Sequence, residues 1–317
     1  MFRRALALLA ALSCSIAFAQ YPDKPIRIIV PFPAGDGLDI QARMIGQRLG
    51  ERWGQKVIVE NKPGAGTLIG VEAATKAAPD GHTLLLVTTT YAINPALRDK
   101  VPYDPLKDFT PLIQTTAIPL IIVGSNKFAP NDFAEVLALA RQKPEGLTVG
   151  NSGLGTAAHI GVELLNVAAG VKFVHVPYKG IPAAMTDLVS GDLQMLCTSP
   201  TQVMASVRDR KIKGLAVTGA KRMALLPDVG TVQEAGIAGF DVNAWVGLMV
   251  PAGTPPDIVK KLNTEIAAIL ALPEVRDPLT TNGSVVIAST PEAFDAHVRS
   301  ELDKWGKVIR SAGIRIQ

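Results

Sequence analysis

Short, mostly apolar and β-branched runs alternate along the chain with longer stretches in which apolar side chains recur at helical spacing. Residues 26–30 (IRIIV) form the first run and predict a strand. Beyond them Ile45, Leu49 and Trp53 share one face of a helix, and Asp39 stands where its side-chain oxygen can cap that helix. Residues 56–59 predict a second strand, Asn61-Lys62-Pro63-Gly64-Ala65-Gly66 a turn, and residues 67–78 a helix ended by Pro79-Asp80-Gly81. Residues 83–87 are apolar throughout, as expected of a parallel strand covered on both faces. The order is βαβαβ, the start of a doubly wound sheet.

A second series follows an extended apolar stretch at 119–124. Asn131 or Asp132 caps a helix running to Arg141. Strands are predicted at 147–150, 172–176, 193–196 and 212–217, and helices at 156–169 and 182–189. A long extended run at 242–250 precedes two more helices, 256–270 behind Thr254 and 291–309 behind Thr290, each with proline in its first turn. The pattern predicts two α/β domains, the second inserted into the first, with crossings near residues 122–126 and 218–221. No repeat of fixed period is evident.

Composition changes this picture little. Hydrophobic residues make up 48% of the 317, enough for a sizeable core, and charged residues 19%, too few for disorder. Residues 1–19 read as a secretory signal: Arg3 and Arg4, an apolar stretch at 5–12, and the small-x-small site Ala17-Phe18-Ala19, with Gln20 as the expected mature start. Lipidation at Cys14 is the weaker reading, because Ala11-Leu12-Ser13 before it lacks a leucine three positions upstream. Losing Arg3 and Arg4 leaves 30 basic against 28 acidic side chains, so the charge gives no case for a nucleic-acid partner. Cys197 is then the only cysteine, and no intramolecular disulfide is possible. No later apolar stretch is long enough to span a bilayer. A soluble exported protein, periplasmic if the signal is bacterial, is expected.

The signatures of catalysis mostly fail. Gly35-Asp36-Gly37-Leu38-Asp39-Ile40 is one glycine short of a dinucleotide fingerprint, and no P-loop exists. Ser152, in Gly150-Asn151-Ser152-Gly153-Leu154, has leucine where a nucleophile elbow needs glycine. The four histidines, His82, His159, His175 and His297, show no metal-ligand spacing. No enzyme, metal or cofactor is expected. Two loops survive: Pro33-Ala34-Gly35-Asp36-Gly37-Leu38-Asp39 and Asn151-Ser152-Gly153-Leu154-Gly155-Thr156. Each leads from a strand into a helix, where unpaired N–H groups and the helix dipole favour an anion. Ser152 and Thr156 add hydroxyl donors. Because the loops fall in different predicted domains, they can grip one small acid from both sides.

The residues at this point resemble a family, the Bug or TctC-like extracytoplasmic solute-binding proteins of tripartite tricarboxylate transporters. The resemblance runs through Tyr21-Pro22-Asp23-Lys24-Pro25-Ile26-Arg27, Val30-Pro31-Phe32-Pro33-Ala34-Gly35, Val59-Glu60-Asn61-Lys62-Pro63-Gly64-Ala65-Gly66 and Ala77-Ala78-Pro79-Asp80-Gly81-His82-Thr83-Leu84-Leu85. It continues through Gly155-Thr156-Ala157-Ala158-His159, Val176-Pro177-Tyr178-Lys179-Gly180, Leu215-Ala216-Val217-Thr218 and Val250-Pro251-Ala252-Gly253-Thr254-Pro255. It implies a type II periplasmic-binding-protein-like Venus flytrap of two doubly wound α/β domains, residues 20–123 with 221–317 and residues 124–220, closing on a ligand cleft.

The ligand implied is a small organic carboxylate: a mono- or dicarboxylate, an aromatic acid or an amino acid. The partner implied is the set of membrane permease subunits, the receptor itself being a monomer. Implied contacts are Ala34, Gly35, Gly37 and Asp39 on one side, and Asn151, Ser152, Gly155, Thr156 and His159 on the other. Thr88 and Thr89 would line the floor, Tyr178, Lys179 and Gly180 a wall, with Thr198 and Ser199 as weaker candidates. Asp39 also reads as a cap, His159 as a loop brace, Lys179 as solvated, and Trp245 and Phe32 as packing. Asp36 departs from the family's glycine or small residue, and Ile181 precedes Pro182 where a further glycine is usual. Both changes fall at the far end of the pocket, and Asp36 would exclude a second negative charge or receive an amine or hydroxyl. Two alternatives stand beside this reading: an exported hydrolase using Ser152 and His159, and a sensory receptor for a membrane partner.

Overall fold

The computed structural model describes residues 21–143, 146–151, 153, 156–178, 180–281 and 283–313. The expected signal segment, Cys14, Ser152, Gly155 and Lys179 lie outside the described residues. In chain order the elements are β1 (Ile26–Val30), α1 (Gly37–Trp53), β2 (Val57–Asn61), α2 (Leu68–Thr75), β3 (Thr83–Thr88), α3 (Thr89–Leu97), β4 (Phe109–Pro119) and β5 (Ile121–Gly124). Then come α4 (Phe133–Gln142), β6 (Thr148–Asn151), α5 (Ala157–Ala169), β7 (Val174–Pro177), α6 (Ile181–Ser190), β8 (Met195–Thr198), α7 (Met204–Arg208) and β9 (Lys213–Val217). Last are β10 (Asn243–Pro251), α8 (Pro256–Leu270), α9 (Pro273–Thr281), β11 (Val285–Val286) and α10 (Pro291–Ala312).

The strands form two sheets, ordered β11-β4-β10-β3-β1-β2 and β7-β6-β8-β5-β9. In the first, β1 pairs in parallel with β2 and β3, and β10 lies antiparallel between β3 and β4. In the second, β6 pairs in parallel with β7 and β8, and β5 lies antiparallel between β8 and β9. The same arrangement is thus built twice, each time with one antiparallel strand inserted beside a parallel trio.

Side-chain alternation explains why both faces are covered. Ile28, Val30, Leu84 and Leu86 point to one face, under α1 and α8, and Ile29, Leu85 and Val87 to the other, under α2, α3 and α10. The second sheet buries Val149, Met195 and Cys197 against α4 and α5, and Ile121, Val123 and Leu196 against α6 and α7. One core runs from the first sheet into the second, and α10 packs on α3 and β4 while reaching α5. Trp245 and Phe32 are packing residues, Trp245 fully buried with its Nε1–H donating to Glu301 Oε2 at 2.9 Å.

Several sequence expectations need correction. Asp39 does not cap α1; Asp36 does, its side chain accepting from Leu38 N at 2.9 Å. Thr254 does not cap α8 either: Pro255 holds that position, and the Thr254 hydroxyl donates to Pro251 O. As to sheet membership, Ile121 already pairs in the second sheet, so the chain changes sheet at Leu120. The return to the first sheet comes later in the chain. After Thr218 the chain stays with β9, bridging Val217 to Thr231, and rejoins the first sheet only at Asn243.

Gly247 in β10 leaves no room for a larger residue. A Cβ there would press into the Phe294 ring and stand 3.0 Å from the Ile113 carbonyl oxygen. Gly247→Ala should therefore lose about 1–3 kcal/mol to overpacking, against a gain of about 0.4–1 kcal/mol from a stiffer unfolded chain. A lower urea midpoint with an unchanged slope checks it.

Candidate functional site

Both sheets aim the carboxyl ends of their parallel strands at one junction. Thr88, the last residue of β3, lies opposite Val246, which lies opposite Thr116 of β4. Thr198, the last residue of β8, lies opposite Ile121 of β5. From Thr116 to Ile121 the chain advances five residues, at most about 17 Å when extended. The loops after β1, β2 and β3 therefore stand across a short bridge from those after β6, β7 and β8. That is where open α/β sheets bind ligands. Thr218, buried, ties the bridge: its hydroxyl accepts from Leu120 N at 2.9 Å and donates to Val242 O at 2.6 Å.

In the first loop Pro33-Ala34-Gly35-Asp36-Gly37 is exposed, with Gly35 at φ +82°. Asp39 lies beneath it, only 2% exposed. Its carboxylate accepts from Gly35 N at 2.8 Å, Arg43 Nε at 2.9 Å and Asn61 Nδ2 at 2.9 Å. Asn61, closing β2, also donates to Phe32 O and accepts from Arg43 Nη2. Burial alone would raise the Asp39 pKa, but the bonds from Arg43, Gly35 and Asn61 together outweigh it and hold the carboxyl at about 2. The Gly35 amide is thus already used. The Gly37 amide, at the first helical position, has no intrahelical acceptor.

The second loop is pinned in a parallel way. Asn151, the buried last residue of β6, accepts from Gly153 N at 3.0 Å through Oδ1 and from Tyr178 N at 3.0 Å through its backbone carbonyl. Gly153 has φ +124°, a conformation open to glycine. Thr156 caps α5, its hydroxyl accepting from His159 N and donating to Gly153 O at 2.8 Å.

Several expected contact residues hold structural hydrogen bonds. Thr89 is buried and its hydroxyl accepts from Trp245 N. Thr88 hydrogen-bonds Thr90 at 2.8 Å and remains half-buried at the strand end. Asn151 supports the loop from below. His159 is buried edge-on against His175; burial and that neighbour lower its pKa to about 4, so it carries no charge for a carboxylate near neutral pH. The Tyr178 phenol donates to Asp187 Oδ2 at 2.7 Å, and burial with that carboxylate pushes its pKa up to about 12. Thr198 is buried and bonded to Gln202; Ser199, half-buried, pairs with Thr201. Gly180 precedes α6 as its N-cap.

Sequence reasoning missed Arg43, Asn61 and Asn94. Asn94, buried in α3, donates to Gly66 O at 2.9 Å. It thereby holds the loop before α2, where Gly64, Ala65, Gly66 and Thr67 all take positive φ. Membership of the turn cluster and of a segment that carries the family resemblance were the signals available for Asn61, and none marked Asn94.

Residues 41–314 match the family model described as the tripartite tricarboxylate transporter family receptor. The chain belongs to this family. Among solved structures it is similar to the periplasmic binding protein BugD (33% identity, 93% of this chain and 100% of that one, TM-score 0.74). It is similar to R. palustris Rpa4515 with adipate (32%, 93% and 100%, TM-score 0.77) and to MatC from Rhodopseudomonas palustris with bound malate (33%, 91% and 100%, TM-score 0.73). The two-domain α/β architecture is that of these binding proteins.

The pinned carboxylate makes stability depend on acid. Asp39 titrates at about 2 in the fold against an ordinary 3.8, so its contribution is present above about pH 4 and is lost as pH falls through 2. Asp39→Asn should cost about 1–2 kcal/mol at neutral pH, the half-exposed Arg43 being partly screened by water. The gap between parent and variant, read by urea titration, should close as pH is lowered through that window.

Proposed function

We propose that the protein is the periplasmic receptor of a tripartite tricarboxylate-type transporter, capturing a small organic carboxylate between its domains and delivering it to membrane permease subunits. The observation that carries this reading is the convergence of two side-chain-pinned, glycine-bearing loops on one junction. The N-terminal segment that reads as a secretory signal supports export. The boundaries we propose are residues 21–120 with 243–313 for one domain and 121–242 for the other. The ligand would bridge both domains, so that its contacts favour a closed arrangement over an open one. The malate and adipate seen in the similar structures support a dicarboxylate or a related acid. Binding rather than catalysis is supported by His159: buried, with its pKa lowered to about 4, it is a poor general base for Ser152.

The two mouths differ in charge. Asp36 sits on the tip of α1 and cancels part of its positive end, whereas the tip of α5 is capped by the neutral Thr156. A ligand carboxylate is therefore assigned to the Asn151–Thr156 side, and a neutral or cationic group to Asp36. Like charges ~4 Å apart repel by ~4 kcal/mol at an effective dielectric near 20, enough to select.

A thermal-shift panel of mono-, di- and tricarboxylates and amino acids tests the function. One class should raise the melting temperature, by an amount equivalent to about 2.7 kcal/mol at a hundredfold excess over Kd. Absence of any shift or heat across the panel would overturn the reading. Calorimetry on Asp36→Gly should show acids with a second carboxylate binding about tenfold more tightly, or about 1.4 kcal/mol; an unchanged ligand profile would reduce Asp36 to a helix cap.

A further inference from the structure

Beneath the second-domain loop lies a connected set of polar side chains: Glu163 and His159 from α5, His175 from β7 and Asn151 at the end of β6. Glu163 Oε1 lies 2.8 Å from His175 Nε2, off the direction of a well-aligned hydrogen bond. The His159 and His175 rings pack edge to face with centroids 4.6 Å apart, and Asn151 Nδ2 lies 3.3 Å from His175 Nδ1. Ligand atoms of His159, Glu163 and His175 all lie within 4.8 Å of one another, a spacing that invites a metal ion. The Asn151 amide argues against one. Its Oδ1 already accepts from Gly153 N, so Nδ2 is the atom turned to His175. Nδ1 must then be an acceptor, and the imidazole proton sits on Nε2, on the Glu163 side of the ring. A metal on Nε2 would drive that proton to Nδ1 and set one N–H against another.

We propose that His175, held by Glu163, is a positioning residue for ligand capture: it fixes which way the Asn151 amide faces, and through it the Gly153 N–H of the loop that meets the ligand. The proposal rests on the receptor reading and deepens it. Asn151 is fully buried, so its amide cannot exchange its partners for water. The orientation has one stable solution only while Nδ1 of His175 accepts. Among the described residues the titratable groups meeting His175 are Glu163 and His159, both from α5; β6 offers the neutral Asn151. A proton added to His175 makes both ring nitrogens donors. The amide must then turn over, and Oδ1 leaves Gly153.

The sign of this coupling inverts in one variant. In Asn151→Asp a carboxylate replaces the amide and accepts both from Gly153 N and from a protonated His175 Nδ1. Acid should loosen the loop in the parent and tighten it in Asn151→Asp. The measurement is hydrogen-exchange protection of the Gly153 amide by NMR in the unliganded protein between about pH 5 and pH 8. Calorimetry with malate and with adipate as probes runs over the same range. On acidification protection should fall about tenfold in the parent and rise about tenfold in Asn151→Asp. Equal slopes in the two proteins, or a Gly153 protection untouched by His175→Phe, would overturn the proposal. If Asn151→Asp does not fold, Glu163→Gln answers in its place. Without the carboxylate the imidazolium is disfavoured, so the loss of protection must move to lower pH; an unmoved profile overturns the proposal. The exchange measurement needs no ligand. Opposite slopes with neither acid binding would uphold the positioning role while counting against these acids as ligands. Binding with equal slopes would uphold the receptor and remove the role.

Discussion

A carboxylate taken out of water must find its hydrogen bonds inside the protein, and much of the first domain's mouth is arranged around that requirement at Asp39. Its acceptor positions are met by one backbone amide, one guanidinium and one side-chain amide, from Gly35, Arg43 and Asn61. Each partner belongs to a different piece of the mouth: the loop after β1, the second turn of α1, and the end of β2. The cost of leaving any of them unmade is the desolvation of a buried charge, several times the net worth of an ordinary hydrogen bond. The exposed loop above can therefore be rich in glycine and still hold one shape. Asn151 plays the corresponding part in the second domain with a neutral amide in place of the charge.

Much of the fold was legible because alternation in β1 and β3 sends successive side chains to opposite, equally apolar layers. What escaped did so for physical reasons. β4 carries Pro111 and the polar run Gln114-Thr115-Thr116, because Thr115 and Thr116 serve Gln41 and the β10 backbone rather than the apolar layer. α3 starts directly at the end of β3 without a loop and contains Pro95, so neither a turn signal nor an unbroken helical pattern marked it. The exchange of roles between Asp36 and Asp39 has the same character. Both lie near the start of one helix, and spacing alone does not say which faces the N–H groups and which goes under the loop. The loop positions of the site were legible from glycine and turn chemistry, whereas the braces Arg43, Asn61 and Asn94 act through tertiary contacts that no local pattern encodes.

The doubling of the sheet arrangement was likewise hidden, since the two halves share geometry without a repeated sequence. In each, an antiparallel strand lies between the third and fourth parallel-directed strands, and in each that strand adjoins the crossing: β10 begins at it, and β5 leaves from it. The chain thus passes between the sheets beside the carboxyl ends of both parallel trios. Placing the bridge next to the loops means that a small rotation at Leu120 and Val242 moves the two mouths relative to each other. Thr218 holds those two segments together with a buried hydroxyl, and α10, anchored by Glu301 between Trp245 and Trp305, spans from β4 to α5 behind them.

The two pinning devices differ in what acid does to them, and this separates the domains functionally. Asp39 titrates at about 2 against three donors, so the first mouth keeps its pins above about pH 4. The second mouth is oriented by a neutral amide whose facing depends on an imidazole nitrogen, a group whose donor and acceptor character can reverse. The rigid half also bears the extra negative charge of Asp36 on its helix tip, while the half capped by Thr156 offers the less encumbered positive end. On the proposed reading, the side assigned to the anion is then the side whose loop geometry can be released. A receptor must bind tightly in one place and let go in another, and the proposed division, one mouth fixed by a charge and one set by a reversible hydrogen bond, would supply both within a single pair of loops.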